Sequence, residues 1–234
     1  MTAEILSGLD PFDIFDAEAD RLDAFFSGLS AEDWDRPSRC EGWSVRDVLA
    51  HLAGEELYNH ACLDGDLDGL FARLEREGVK DLGGFNEWCV RTRRPLPVAE
   101  VVEEWREENG DTRRRMREAG ADAELATMAG PYPVGLQTFH YCSEYATHGD
   151  DMGVQVPDAE ARARTAWRAR VGLFALDERN APVEVEELSD GFRVRLGDRT
   201  ADLTAYDFVQ ATVDRLPPGH PLDASLRGAL IALA

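Results

Sequence analysis

The sequence is poor in basic residues, and lysine is nearly absent from it. Among its 234 residues, 25 lysines and arginines stand against 46 aspartates and glutamates, the formal net charge is −21, and Lys80 is the one lysine. A surface of that sign repels nucleic-acid phosphates and anionic lipid headgroups. We therefore predict no nucleic acid and no membrane among its partners. An anionic substrate must instead meet a local group of arginines.

Long apolar runs and paired cysteines are also missing. No segment approaches the roughly 18 uninterrupted apolar residues that a membrane span needs. The first residues lack the basic region and apolar run of a secretion signal. The four cysteines include no C-x-x-C pair, so free thiols are expected. These absences predict a cytoplasmic protein.

The apolar residues have two different periods along the chain. Up to about residue 180 they recur every three or four positions, as in amphipathic helices. After that point they alternate, and Asp190-Gly191 between two alternating runs predicts a β-hairpin. We therefore predict an α+β protein, with a helical bundle over residues 1–180 and a small α+β domain over residues 181–234. The stretch 121–133, with one glycine and two prolines, is predicted to be a loop.

A capping box opens the second predicted helix. Ser44 is followed by Asp47 three residues later, and apolar residues continue from there at helical spacing. His51 lies one turn beyond Asp47, at the border of the apolar stripe. A single histidine in such a position is more often a hydrogen-bonded core residue than a metal ligand.

The segment from His140 to Asp151 carries the strongest indication of chemistry. Residues four apart on a helix lie one turn above each other, so Glu144 and His148 point the same way. Inward-facing Glu and His side chains hold first-row metals in helical bundles, and this pair supplies half of such a site. The same spacing also occurs as a surface pair that contributes only about 0.3 kcal/mol. Spacing alone does not decide between the two.

His51 supplies the other half, since three ligands of types suited to zinc or a similar ion could then converge between two helices. Three protein ligands leave one coordination position open, which is typical of a catalytic rather than a structural zinc. His140 lies one turn before Glu144 and is a candidate fourth ligand that would close the site.

Two motifs in the chain resemble a known family. They are Trp34 with Cys40-Glu-Gly-Trp-Ser44-Val-Arg-Asp-Val-Leu-Ala-His51, and Glu144-x-x-x-His148-x-x-Asp151. These motifs are similar to those of the DinB-like metalloenzyme superfamily and, more narrowly, of the mycothiol-dependent maleylpyruvate isomerase family. The resemblance covers nearly the whole chain and implies a DinB-like four-helix bundle followed by a small C-terminal α/β domain. It also implies that His51, Glu144 and His148 bind zinc or another divalent metal ion.

The resemblance gives two further residues a predicted catalytic role. Asp151 matches the acidic residue that follows the second histidine, from where it supports a ligand or orients a bound group. Arg215 falls where the C-terminal domain of the family has an arginine implicated in activity. Asp214 here replaces the glycine that usually precedes this arginine.

The resemblance further implies an enzyme that takes mycothiol as a thiol cosubstrate. A metal lowers the pKa of a bound thiol and presents a thiolate at neutral pH. Addition of the thiolate to an electron-poor double bond and its departure give an isomerase, whereas a thiolate that stays attached gives an S-transferase. A carboxylated substrate calls for an arginine, either Arg215 or one from the Arg91–Arg94 cluster. We expect small-molecule partners and a monomer or homodimer.

Two other interpretations stay open at the level of the sequence. A hydrolase that needs metal but no thiol would use bound water as the nucleophile, with Asp151 or His140 as the base. A non-catalytic relative would use the metal only to hold the bundle together. Neither the substrate nor the identity of the metal follows from these motifs.

Overall fold

The structure, a computed structural model, describes residues 2–233. Its elements are, in chain order, α1 (Thr2–Ile5), α2 (Pro11–Gly28), a 3-10 helix (Asp33–Asp35), α3 (Val45–Asp64), α4 (Leu67–Arg76), α5 (Leu82–Arg93), α6 (Val98–Ala119), β1 (Glu124–Thr127), β2 (Gly130–Pro133), α7 (Val134–Met152), α8 (Asp158–Glu178), β3 (Glu184–Leu188), β4 (Gly191–Leu196), β5 (Arg199–Leu203), α9 (Ala205–Thr212) and α10 (Ala224–Leu230). The predicted α+β class is confirmed. Within residues 2–233, no helix is long and apolar enough to span a membrane.

The described residues form two compact units. One spans Asp10–Val154, and the other combines the residues up to Leu9 with those from Gln155 onward. The long helices α2, α3, α6 and α7 make up the bundle of the first unit, in which α3 packs against α6 and α2 packs against α7. This is the four-helix arrangement that the motifs imply.

Aromatic side chains fill the interior of the bundle. The ring of Phe15 on α2 meets Tyr145 on α7 edge-on, with centroids 5.0 Å apart. Phe26 on α2 meets Trp105 on α6 in the same way at 5.2 Å. Such pairs contribute about 1 kcal/mol each beyond the area that they bury. They hold α2 against α6 and α7, and so fix the helix that carries the predicted ligand pair.

The predicted capping box at the start of α3 is present. The Ser44 backbone N–H donates to Asp47 Oδ2 at 3.0 Å, and the Ser44 hydroxyl donates to the same oxygen at 3.1 Å. Arg94, at the end of α5, donates from Nε to Asp47 Oδ1 at 2.9 Å. Burial raises the pKa of Asp47, but these hydrogen bonds outweigh it and leave the pKa below its usual value. The start of α3 is thereby tied to α5.

Gly54 allows α3 and α5 to approach each other closely. A Cβ atom added at Gly54 would lie 2.3 Å from Cys89 Cβ on α5, which is too close for any side chain. The contact therefore fixes how closely α3 and α5 pack, one turn beyond His51.

The stretch 121–133, predicted to be a loop, contains a two-stranded hairpin instead. β1 pairs antiparallel with β2 from Glu124 opposite Pro133 to Thr127 opposite Gly130. Proline lacks the N–H that a central strand needs, but it is tolerated in a ladder with only one neighbour, which is why the sequence pattern is misleading here. Helix α7 follows without a gap, contains the whole His140–Asp151 segment predicted to be helical, and ends at Gly153, whose φ is +80°.

In the second unit, α8 packs against α9, and a three-stranded antiparallel sheet has the order β3-β4-β5. The predicted hairpin is present, with Leu188 opposite Gly191. Ala169 and Leu176 of α8 share one apolar core with Phe192 of β4 and Phe208 of α9. The C-terminal part of this second unit begins at Gln155. The predicted boundary at residue 180 therefore lies inside the unit. The apolar residues of α8 have the same helical period as those of the preceding helices. This period does not indicate which of the two apolar cores α8 packs into.

Candidate metal centre

His51 from α3 and His148 from α7 face the same carboxylate. Glu144 Oε1 lies 3.2 Å from His51 Nε2 and 3.1 Å from His148 Nε2. One donor atom from each of the three residues lies within 4.8 Å of the other two. Bonds of about 2.0–2.1 Å to a tetrahedral ion separate neighbouring ligands by about 3.3 Å. The observed spacing fits a divalent first-row metal ion, although metal binding itself stays a prediction.

Hydrogen bonds give the two buried imidazoles different pKa values. Burial lowers the pKa of His51, and the hydrogen bond to Glu144 only partly offsets it. Burial acts the same way on His148, but hydrogen bonds with Asp151, Cys40 and Glu144 outweigh it, so the pKa of His148 lies well above its ordinary value. Burial raises the pKa of Glu144, yet the two histidines outweigh it and bring this pKa below its usual range. Without metal, His148 therefore binds a proton more readily than His51.

Asp151 lies behind His148. Its Oδ2 is 3.2 Å from His148 Nδ1, the ring nitrogen that faces away from Glu144. A carboxylate at that position fixes the tautomer and orientation of a metal-binding histidine. The backbone of Asp151 is held as well, because its carbonyl accepts a hydrogen bond from the Arg39 N–H at 3.0 Å. The position of Asp151 agrees with the supporting role predicted for it.

Cys40 completes a second group of close donor atoms. Its thiol donates to Asp151 Oδ2 at 3.2 Å, and its sulfur is 3.7 Å from His148 Nδ1. These three residues also have one donor atom each within 4.8 Å of the others. A proton on Nδ1 that is shared with Asp151 accounts for this spacing without a metal, because His148 then directs its other nitrogen at the first group.

The family of the chain follows from a comparison of its sequence with family models. The model of the mycothiol maleylpyruvate isomerase N-terminal domain matches residues 15–153. The chain belongs to this family. The matched segment includes His51, Glu144, His148 and Asp151, whereas Arg215 lies outside it. The predicted family is thus confirmed, and with it the bundle that the motifs imply.

Sequence relatives and solved structures agree with that assignment. Uncharacterised proteins from two strains of Mycobacterium tuberculosis are 23% identical over 175 residues, which are 72% of this chain and 67% of theirs. The crystal structure of a mycothiol-dependent maleylpyruvate isomerase is similar with a TM-score of 0.62 at 13% identity, over 89% of this chain and 90% of that one. A mutant of such an isomerase gives 0.52 at 12% identity, over 72% and 67%. At these identities the similarity shows the fold.

The Gly-Trp element of the first motif lies directly against the site. Gly42 has φ +79°, a conformation that favours glycine, and it lets the chain turn into Trp43 just before α3. The centroid of the Trp43 ring is 5.2 Å from that of His51, and its Nε1 donates to Glu87 Oε1 at 2.8 Å. Trp43 therefore covers one side of the His51 imidazole.

Two residues beside the site carried no role in the sequence prediction. Cys40 stands within the first motif, but nothing in the sequence indicated its contact with Asp151. Glu55 follows His51 by four residues, the same spacing as Glu144 and His148, and that spacing was the available signal. Its Oε2 is 3.7 Å from His51 Nε2. Burial, together with the charges of Glu144 and Glu56, raises the pKa of Glu55 well above its usual value.

The remaining predicted residues lie outside the group of ligand atoms. His140 Nε2 is 3.3 Å from the Tyr132 hydroxyl, and His140 is absent from both groups of close donor atoms found among residues 2–233. Arg215 follows α9 in the second unit, where its Nη1 donates to the Val213 carbonyl at 3.3 Å. Its catalytic role stays a prediction. In the Arg91–Arg94 cluster, Arg93 and Arg94 pair with carboxylates.

Proposed function

We propose that this protein is a metal-dependent enzyme that uses mycothiol for isomerisation or S-transfer on a small electrophilic, carboxylated substrate. The observation that supports it most is the convergence of His51, Glu144 and His148 on one point. Three protein ligands leave a position open for a thiol. Membership of the mycothiol maleylpyruvate isomerase N-terminal domain family supports the choice of thiol and reaction.

The chain supplies a divalent metal with two imidazole nitrogens and one carboxylate. When bound there, such an ion lowers the pKa of a thiol so that it reacts as a thiolate at neutral pH. His51 and His148 are buried, with 3% and 7% of their surface exposed, whereas 36% of the Glu144 side chain is exposed. The substrate and the thiol therefore approach from the Glu144 side.

Asp151 keeps His148 in the required form. It accepts a hydrogen bond from the N–H at His148 Nδ1. The lone pair of the other ring nitrogen, Nε2, then points toward Glu144 and His51, where it can bind the metal. Its side chain has no exposed surface, which excludes water from this hydrogen bond. Asp151 thus acts on the reaction through His148, as a positioning residue.

Arg215 is the proposed contact for a substrate carboxylate. Support comes from its sequence position and from the geometry of guanidinium groups, which bind carboxylates through two parallel hydrogen bonds. An isomerase must release the thiol after rotation about the former double bond, whereas an S-transferase keeps the new carbon–sulfur bond. A product that retains the thiol distinguishes the two.

Turnover of purified protein, with metal and thiol supplied separately, tests this function. We expect conversion of maleylpyruvate, or capture of another electron-poor alkene, only when a divalent metal and mycothiol are both present. His148→Ala should lose bound metal and turnover together. His60→Ala is the matched control, because His60 pairs with Glu108 at 3.0 Å away from the ligand group. Hydrolysis with metal alone would favour the hydrolase interpretation, and metal without any turnover would favour a non-catalytic protein.

A further inference from the structure

The two helices that carry the predicted ligands each contain a histidine and a glutamate four residues apart. On α7 the order is Glu144 then His148, and on α3 it is His51 then Glu55. In both pairs a carboxylate oxygen approaches Nε2 of its own histidine, at 3.1 Å on α7 and 3.7 Å on α3. Each helix therefore presents one imidazole and one carboxylate toward the other helix.

The carboxylate of Glu55 is largely buried, and no arginine or lysine pairs with it among the described residues. Its side chain is 15% exposed, and Oε1 is fully buried without a hydrogen-bond partner in the described part of the chain. Its one ion-pair contact within residues 2–233 is His51. A buried carboxylate in such a position is unfavourable unless a positive charge or hydrogen-bond donors compensate it.

The neighbouring residue, Glu56, is a buried carboxylate with a structural role, and its hydrogen bonds differ from those of Glu55. Glu56 accepts hydrogen bonds from Asn59, Asn109, Thr112 and Tyr145, at distances between 2.6 and 2.9 Å. Both of its oxygens are satisfied by these donors. Glu55 has no comparable set, so the fold leaves its oxygens available for a ligand.

We propose that Glu55 is a fourth protein ligand of the metal, in a site of two imidazoles and two carboxylates. This proposal rests on the metal centre under Proposed function. Glu55 is not among the residues whose donor atoms all lie within 4.8 Å of one another, so coordination requires rotation of its side chain. Oε2 already borders His51 Nε2, and the three side-chain torsions of a glutamate allow this movement.

A second carboxylate changes which metals the site favours. Two imidazoles and two carboxylates neutralise the charge of a divalent ion, and oxygen ligands suit manganese and iron better than they suit copper. A six-coordinate ion held in this way keeps two open positions, so a thiol and a substrate oxygen still have room.

Metal binding by Glu55→Gln tests the proposal. This variant keeps the size of the side chain and removes its charge. Glu108→Gln is the matched control, since Glu108 also pairs with a histidine but lies outside the ligand group. We expect chelator competition with Zn²⁺ and Co²⁺ to show at least about tenfold weaker binding for Glu55→Gln, and the visible spectrum of the Co²⁺ form to change. Both should be unchanged in Glu108→Gln.

Thermal unfolding distinguishes a loss of metal binding from a loss of folding stability in Glu55→Gln. Because Glu55 Oε1 has no hydrogen-bond partner in the described part of the chain, the metal-free Glu55→Gln protein should be about as stable as the metal-free parent. Added metal should raise its melting temperature by less than it raises that of the parent. Unchanged affinity and an unchanged Co²⁺ spectrum in Glu55→Gln, with metal lost from His148→Ala, would overturn the role of Glu55 and leave the proposed function intact. A parent protein that binds no metal would overturn both.

Discussion

Asp151 and His148 lie one turn apart on α7, with Asp151 Oδ2 3.2 Å from His148 Nδ1, while Nε2 of the same ring faces Glu144 at 3.1 Å. The imidazole is thus held between two carboxylates, one on each side. This relationship makes His148 the residue through which the end of α7 controls the proposed metal centre. Changes at Asp151 should therefore alter metal binding without contact with the metal.

Asp151→Asn should weaken metal affinity by about 10- to 100-fold, the range found when the outer hydrogen-bond partner of a ligand is altered. The amide keeps the shape but loses the charge that stabilises the proton on His148 Nδ1. Chelator competition measures the change. Asp150→Asn, one residue earlier on the same helix, is the control and should bind metal as the parent does. Equal affinity in both variants would contradict the supporting role of Asp151.

Thiol labelling should single out Cys40. Burial raises the pKa of Cys62 to about 11 and that of Cys89 to about 12, and it raises the pKa of Cys142 well above its ordinary value. Cys40 is the one cysteine of the four that is not fully buried. Iodoacetamide reacts with thiolates, and burial disfavours the thiolate form of the other three cysteines. Mass spectrometry after brief iodoacetamide treatment at pH 8 should therefore find Cys40 modified first.

Substitution of Cys40 should show whether its hydrogen bond to Asp151 matters. Cys40→Ser keeps a donor to Asp151 Oδ2 and should retain metal affinity within a factor of about two. Cys40→Ala removes the donor and should weaken affinity by about tenfold, the lower end of the range for outer partners. Cys62→Ala controls for loss of a thiol elsewhere in the bundle. Equal affinities in the serine and alanine variants would show that the contact has no effect on the site.

The stability of the metal-free protein should decline on the alkaline side. The pKa of His148 is raised in the folded state. Its stabilising effect is therefore complete below the pKa of an unfolded histidine, about 6.5, and is lost as the pH rises through the raised value. The pKa of His51 is lowered in the folded state, so its protonation affects stability only below the pKa of an unfolded histidine. Glu55 and the buried cysteines also have raised pKa values, so they too lower the stability as the pH rises. The difference between the parent and a His148 variant is therefore what reports on His148.

Urea unfolding between pH 6.5 and 10, with and without chelator, measures this effect. The metal-free parent should lose stability across the range, and metal-free His148→Gln should lose less. Metal-loaded protein should lose less stability than the metal-free parent over this range, because a bound metal has already displaced the proton from His148. The same alkaline decline in the variant and the parent would assign the effect to other groups.

Tyr145→Phe should destabilise the bundle. The Tyr145 hydroxyl donates to Glu56 Oε1 at 2.9 Å and accepts from Trp105 Nε1 at 3.0 Å, and all three side chains are buried. Its loss leaves buried polar atoms with fewer partners, which costs about 1–3 kcal/mol. The free energy of unfolding in urea checks this figure. Tyr206→Phe, at an exposed position, should cost nothing measurable.

Local features of the fold were accessible from the sequence. The helix at Val134–Met152 and the capping box at Ser44 depend on spacing and on side-chain hydrogen bonds within a few residues, and both are present as predicted. The β1–β2 hairpin was not accessible, because its prolines contradict strand propensity. The place of α8 in the second unit was not either, since it depends on contacts with Phe192 and Phe208 that are remote in sequence.

The candidate site shows the same limit. The spacing of Glu144 and His148 predicts that they share one face of a helix, whereas the approach of His51 depends on how α3 packs against α7. The family resemblance supplied that packing. Glu55 has the same spacing from His51, but nothing in a single sequence tells a buried carboxylate from a solvated one.

Anomalous X-ray scattering from metal-loaded crystals locates the metal ion itself. We expect a peak bonded to His51 Nε2, His148 Nε2 and a Glu144 carboxylate oxygen, at about 2.0–2.2 Å from each. A peak between Cys40, Asp151 and His148 Nδ1 would contradict it, because the second group of donor atoms would then be the metal site. So would a metal-containing crystal in which no peak lies near His51.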